Sequence, residues 1–329
     1  MSLLWMEYDD AFERLADDAF RRACQADPAY YSSLTPRVSG IIRRDTRYNV
    51  DFLYTAYLIR DDKIMEDYAV WLYQLMASVL RGKIPEEKTV IYVIGHLATI
   101  RESVQATTPP ELHPQLFHLM DVAEAAVRRA AEQPLPEIGR PSRYETEIRQ
   151  YMDCLLHRNG RRAAGLIHEF SDRGISLSDI YVEILAESMR RVGELWHTAR
   201  ITVDTEHYCT SVTQIAMAQM YPLLFDAPRK NKVLLCACPG TELHEMGARM
   251  VADLFESDGW DSIYLGAAVP MDALLDAVET NHPDLLALSV TMPQHLMACR
   301  DAVQAVRARC PGTRIAVGGR AFEIGRAHV

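Results

Sequence analysis

In KVLLCACPGTELHEMGARMVADLFESDG, residues 232–259, a continuous apolar run gives way to an amphipathic pattern. KVLLCAC has no polar alternation, which suits a strand buried on both faces of a parallel sheet. The stretch ELHEMGARMVADLFESDG has helical spacing and predicts a helix from Glu242. His244 lies where the two meet, flanked by acids and followed by Gly247. The same alternation continues downstream. DSIYLGA, DLLALSV and TRIAVGG read as strands, and PMDALLDAVETN and QHLMACRDAVQAVRARC as the helices between them. Strand and helix in turn predict a doubly wound parallel sheet, whose ligands bind beyond the carboxyl ends of its strands. The informative loops are therefore CPGTELHEMG, GAAVP, SVTMPQH and GGRAF.

Upstream the period is helical throughout. Residues 1–132 contain FERLADDAFRRACQ, VDFLYTAYLI and EDYAVWLYQLMASVLRG, each with apolar residues at helical spacing, the last stopped by Gly82 and Pro85. EQPLPEIGRPSR, around residues 133–143, is rich in proline and reads as a linker or a stiff crossing. Residues 144–228 read as four helices of a small bundle. The fold class is thus multi-domain: an all-α N-terminal domain, a helical cap bundle, and an α/β doubly wound parallel sheet over 229–329.

Composition narrows the function. Of 329 residues, 49% are hydrophobic and 24% charged, as in globular proteins, and the formal net charge is -10. An acidic balance argues against direct nucleic-acid binding, which favours a basic face. No apolar run reaches a membrane span, and the N-terminus has no signal-peptide pattern, so a cytoplasmic location without a membrane partner is expected. The 7 scattered cysteines read as reduced thiols, with Cys236 and Cys238 as buried strand residues rather than a metal pair.

Three blocks at the strand ends form one pattern: Glu242-x-His244-x-x-Gly247, then Ser289-x-Thr291, then Gly318-Gly319. Taken alone, His244 reads as a surface histidine before a helix. Together the blocks resemble the cobalamin-binding fold of methionine synthase, the mutases and the light-sensing repressors. The resemblance implies that His244 is the lower axial ligand of cobalt, with Glu242, where the family has aspartate, as the acceptor for its other nitrogen. It gives Gly247, Gly318 and Gly319 the task of admitting the nucleotide tail, and Ser289 and Thr291 that of donating hydroxyls to the buried base. An imidazole nitrogen suits cobalt, and its second nitrogen needs an acceptor to fix the tautomer.

The bundle carries LWHTARITVDTEHYCT, in which Trp196-His197 precedes Glu206-His207. This W-x9-EH spacing resembles that of cobalamin photoreceptors such as the light-dependent MerR-type repressors. The resemblance implies adenosylcobalamin as the cofactor. Trp196 would then wall the adenosyl group, Glu206 would accept from it, His207 would help to hold the pocket, and His197 would be the upper cobalt ligand after light. Trp196 by itself is as well read as a core aromatic.

The first 132 residues lack the basic winged helix expected of such a repressor. The stretch RRDTRYNVDFLYTAYLIRDDKIMEDYAVWLYQLMASVLRGKIP instead resembles the N-terminal domain of photocobilins, which also bind biliverdin. Arg43, Arg44, Asp45, Arg47, Tyr48 and Asp51 offer partners for propionates and pyrrole nitrogens, and His96 is a further candidate. Tyr54, Tyr57 and Trp71 offer ring walls. Any one of these residues also fits a solvated helix face or an ordinary core. No cysteine has the context of a covalent bilin site, so binding is expected to be noncovalent.

The closing EIGRAHV resembles a translated sequencing adapter, which predicts that the natural sheet continues past Phe322. The expected function is a signalling photoreceptor, not an enzyme, with an oligomeric state that changes in light and a protein effector as a further partner. The alternatives are a corrinoid protein of a methyltransferase system and a cobalamin-binding transcriptional antirepressor.

Overall fold

A computed structural model describes residues 10–324. The N-terminal residues 1–9 and the last five of the EIGRAHV tail lie outside the described residues. The chain forms two compact units, one of residues to Leu135 with Met292–Met297 and Arg320 onward, the other of Pro136–Thr291 and Ala298–Gly319. Among the described residues no helix is long and apolar enough to cross a membrane.

The first unit is helical: α1 (Asp10–Ala26), α2 (Pro28–Ser33), α3 (Pro36–Ile59), α4 (Asp62–Leu80), α5 (Glu86–Thr107) and α6 (His113–Ala131), with the short α15 (Ala321–Ile324). Local chemistry sets the helix ends. Thr35 accepts from the Val38 N–H ahead of Pro36 at the first helical turn, and Arg60 leaves α3 in the left-handed region. Asp61 then caps α4. Phe12, Leu15, Leu53, Met65, Ile100 and Leu119 are fully buried or nearly so and form the core between these helices.

The second unit joins a bundle to a sheet. The bundle is α7 (Glu145–Leu156), α8 (Gly160–Asp172), a helix built of α9 (Leu177–Asp179), a π-helical stretch (Ile180–Leu185) and α10 (Ala186–His197), and α11 (Val203–Met220). The π-helical stretch interrupts what periodicity reads as one α-helix. Its wider turn sends Ile180, Tyr181, Ile184 and Leu185 into the core, all 0% exposed.

The sheet has four parallel strands in the order β2-β1-β3-β4. They are β1 (Val233–Pro239), β2 (Asp261–Val269), β3 (Leu285–Ser289) and β4 (Arg314–Gly318). The helices between them are α12 (Met246–Ser257), α13 (Met271–Asn281) and α14 (Leu296–Arg309). β1 is central and buried from Leu234 onward, which accounts for its unbroken apolar run. Register pairs Ser289 with Gly318, so two of the motif blocks meet at one end of the sheet.

One boundary differs from the sequence expectation. α12 starts at Met246, not at Glu242. The Glu242 carboxylate accepts from the His244 N–H at 2.9 Å, a local bond that competes with a helical turn.

Bundle and sheet share a core. Met250 of α12 packs with Tyr151, Phe170, Ile184 and Met217 of the bundle. Tyr181 donates its hydroxyl to Asp253 of α12 at 3.0 Å, and Arg249 donates to the same carboxylate. Asp253 is only 4% exposed, so each donor matters. Tyr181→Phe should lower stability by about 1–3 kcal/mol, the usual effect of removing a donor from a buried acceptor, measured by urea unfolding.

Candidate functional site

The site begins at the carboxyl end of β1. Chain reversal after Pro239 places Glu242 in the interior, 0% exposed, while the side chain of His244 remains 57% exposed. The fully buried carboxylate is matched by donors from two loops. One oxygen accepts from the His244 N–H at 2.9 Å and lies 2.6 Å from its Nδ1. The other accepts from the Thr291 N–H at 2.8 Å. A buried carboxylate is costly without such partners. The backbone carbonyl of Glu242 also accepts from the Ala268 N–H at 2.9 Å. One residue thus ties together the loops after β1 and β3 and the end of β2.

The hydrogen bond from Glu242 raises the pKa of His244 above the usual histidine value, against an opposing desolvation. It also places the ring proton on Nδ1 and leaves Nε2 as the free donor atom. Among the described residues no group of three or more His, Cys, Asp or Glu could hold a bare metal ion. A single half-exposed imidazole with an oriented second nitrogen suits a metal that arrives in its own macrocycle and needs one axial ligand.

The glycines differ in what they do. A Cβ on Gly247 or Gly318 would meet nothing within 4 Å, so both border open space. Gly319 does not. Its φ is +104°, and a Cβ there would lie 2.3 Å from the Val290 carbonyl oxygen. It lets the backbone approach Val290 closely, with the Val290 N–H donating to the Gly318 carbonyl at 2.9 Å. Ser289 and Thr291 are partly buried beside it.

The bundle supplies the other half. α10 ends on Trp196-His197, and α11 carries Glu206 and His207 in its first turns. Glu206, Thr210 and Gln214 recur every four residues and share one face of α11. Glu206 accepts from the Thr210 hydroxyl at 2.8 Å, and its charge is among the causes that raise the His244 pKa. Gln214 donates to Glu245 at 3.1 Å, and Tyr264 of β2 donates to the same carboxylate at 2.9 Å. The polar face of α11 therefore overlooks the His244 loop. His207 pairs with Glu206 at 2.8 Å, but its side chain is 74% exposed. Glu245, Gln214 and Tyr264 carry no motif; the four-residue spacing from Glu206 could have singled out Gln214 alone, and Glu245 and Tyr264 have no local signal.

The bilin candidates of the first unit fall into two environments. Arg43 pairs with Asp17 and Arg47 with Glu13, both acids on α1, and Arg44 lies 4.0 Å from Asp45. Arg43 and Arg47 thus tie α3 to α1, while Arg44 pairs within α3. Tyr48 is half-buried on α3. Asp51 is instead 2% exposed, and its Oδ2 has no hydrogen-bond partner. Burial pushes its pKa up to about 8. Gln294 lies beside it in the same unit, with neither amide atom in hydrogen-bond geometry. Next to Asp51, Phe52 stacks on Tyr68 at 3.8 Å, and Tyr68 on Trp71 at 6.0 Å. Tyr54 packs edge-on against Phe12 at 5.7 Å. Burial lowers the His96 pKa to about 4.

Residues 232–329 match the family described as "B12 binding domain", and residues 147–221 match a second family of the same description. The chain thus carries B12-binding domains, in which a helical cap joins a Rossmann-like sheet. Among curated proteins it is similar to the HTH-type transcriptional repressor CarH of Myxococcus xanthus, 33% identical over 141 residues, 42% of this chain and 46% of that protein. It is also similar to the HTH-type transcriptional repressor CarA of the same organism, 29% identical over 120 residues, 36% of this chain and 41% of that one. The chain spans under half the length of these relatives. Its fold is shared with the monomethylamine corrinoid protein of Methanosarcina barkeri, with a TM-score of 0.50 and 17% identity over 56% of this chain and 91% of that one.

Two titrations follow from the geometry. Glu242→Gln should lower the His244 pKa, read by NMR on the ligand-free protein. Because that value is raised in the folded state, the pair's stabilisation is complete below the usual histidine range and fades as pH climbs through the raised value. Asp51 behaves in the opposite way to a salt-bridged acid. With its pKa moved from 3.8 to about 8, the folded chain holds a proton that the unfolded chain releases, so stability falls as pH rises across that window. Asp51→Asn should flatten that slope in urea midpoints taken between about pH 5 and about pH 8.

Proposed function

We propose that the protein is a light-sensing signalling protein that binds adenosylcobalamin. The observation that carries this reading is the cap: Trp196-His197 and Glu206-His207 on two adjacent helices, with the Glu206 charge felt at His244. His244 would hold the cofactor through Nε2, oriented by Glu242. Trp196 would supply an apolar wall, and Glu206 an acceptor for the hydroxyls of an adenosyl group. His207 would steady the Glu206 carboxylate, and His197 would offer a second imidazole. Gly247 and Gly318 border the space for the nucleotide tail, and the Ser289 and Thr291 hydroxyls serve its base. When bound, adenosylcobalamin supplies a Co–C bond that visible light breaks. What Trp196 and Glu206 then lose is their ligand, and the difference in ligation biases the cap–sheet contacts through Gln214 and Glu245. The output of this reading is a change of oligomeric state or of a protein effector's binding, without catalysis.

A second chromophore, noncovalent biliverdin, is favoured by one feature of the first unit. Asp51 is a buried, protonatable carboxylate with an unpartnered oxygen beside the Phe52–Tyr68–Trp71 column. Pyrrole N–H groups would meet that carboxylate, while Arg43, Arg44 and Arg47 would reach propionates on release from their acids.

Absorption spectra test both parts. Protein assembled in the dark with adenosylcobalamin and biliverdin should change its cobalamin bands under green light and show a red bilin band. Trp196→Ala and Glu206→Ala should each weaken adenosylcobalamin retention about ten-fold or more, equivalent to about 1.4 kcal/mol. His244→Ala should give a base-off cobalt spectrum. Light-insensitive cobalamin bands together with turnover of a methyl donor would establish the methyltransferase role instead.

A further inference from the structure

The segment that joins the N-terminal helices to the bundle is bound to α10. Glu187, Arg191 and Glu194 lie on one stripe of that helix. The crossing backbone meets all three. The Gly139 N–H donates to Glu194 at 2.8 Å, the Arg140 N–H donates to Glu187 at 3.2 Å, and the Arg140 carbonyl accepts from Arg191 Nη2 at 2.7 Å. The remaining bonds of Arg191 go to both carboxylate oxygens of Glu145 at the start of α7, at 2.8 and 2.7 Å, and to Glu187 at 2.7 Å. Arg190 pairs with both Glu187 and Glu194 and keeps their carboxylates turned to the strap.

Exposed ion pairs contribute little, but this is a forked guanidinium, 8% exposed, in a network. The fit is close. Gly139 has φ +88°, and a Cβ there would lie 2.7 Å from Arg191 Nε and 2.9 Å from Cζ. A flexible side chain would move aside; this one is held by four hydrogen bonds.

α10 continues directly from the π-helical stretch Ile180–Leu185, the irregular turn of this helix. Ser188 and Val192 are both 0% exposed, and Trp196 follows at the same spacing of four. A small roll of α10 would move all three together.

We infer that the Gly139–Arg140 strap, clamped by Arg191, sets the rotation of α10 and so the position of Trp196 over the cofactor. Arg191 and Gly139 are positioning residues. The inference rests on the reading of Trp196 as the wall of the adenosyl pocket, and it also makes the chain just upstream of the bundle the first segment to feel a movement of α10.

The test uses the full chain with Trp5, Trp71 and Trp260 replaced by Phe, so that Trp196 is the sole tryptophan. Gly139→Ala breaks the strap without altering α10, and Glu145→Gln loosens the Arg191 fork from the exposed end of α7. Acrylamide quenching of Trp196 in the ligand-free protein should rise in both variants. Affinity for adenosylcobalamin should fall about five-fold relative to methylcobalamin, equivalent to about 1 kcal/mol. Unchanged quenching in both variants overturns the strap, whatever the cobalamins do. Where the parent prefers adenosylcobalamin, equal losses for both cobalamins also overturn it, since they mark general destabilisation. If the parent protein binds the two cobalamins equally while quenching still rises, the strap stands and the adenosyl-pocket reading fails.

Discussion

The buried carboxylate of Glu242 is the constraint on which the site depends. Removing a carboxylate from water is costly unless donors replace the solvent. Here the donors are the His244 N–H, the His244 ring and the Thr291 N–H, which belong to two separate loops. Their convergence fixes the distance between the ends of β1 and β3 and turns Nε2 of His244 outward. The Glu242 carboxylate reaches Thr291 with one oxygen and the His244 ring with the other.

A second constraint is the contact of cap with sheet. It is apolar where Met250 enters the bundle core and polar at Tyr181–Asp253 and Gln214–Glu245. Apolar packing supplies non-directional adhesion, whereas the two polar contacts fix direction. One of these lies deep and the other beside His244, so the cap is anchored at its base and attached more lightly near the ligand. Such an arrangement suits a module whose response to a ligand is a change of cap position.

The sequence made the architecture legible because burial leaves a period. The unbroken run of β1 and the alternation after it predicted a parallel sheet, and the helical spacing before it predicted the bundle. The strand-end location of the motif blocks followed from that topology. Other features had no local signal. The proline-rich crossing reads as a linker, yet its backbone is matched to charges from Glu187 to Glu194 on α10. Gly318-Gly319 reads as one unit, yet only Gly319 meets a neighbour closely. The set from Arg43 to Asp51 reads as one polar cluster, yet acids of α1 pair with Arg43 and Arg47 while Asp51 is enclosed.

By itself the sequence determined which segments are helix or strand and which chemistry stands at the strand ends, because periodicity and motif spacing are properties of neighbouring residues. Tertiary structure alone decided that Glu242 serves two loops, that Glu206 overlooks His244, and that Arg191 clamps the strap. Each of these depends on groups far apart in the chain that meet only when the apolar faces close and desolvated charges need partners.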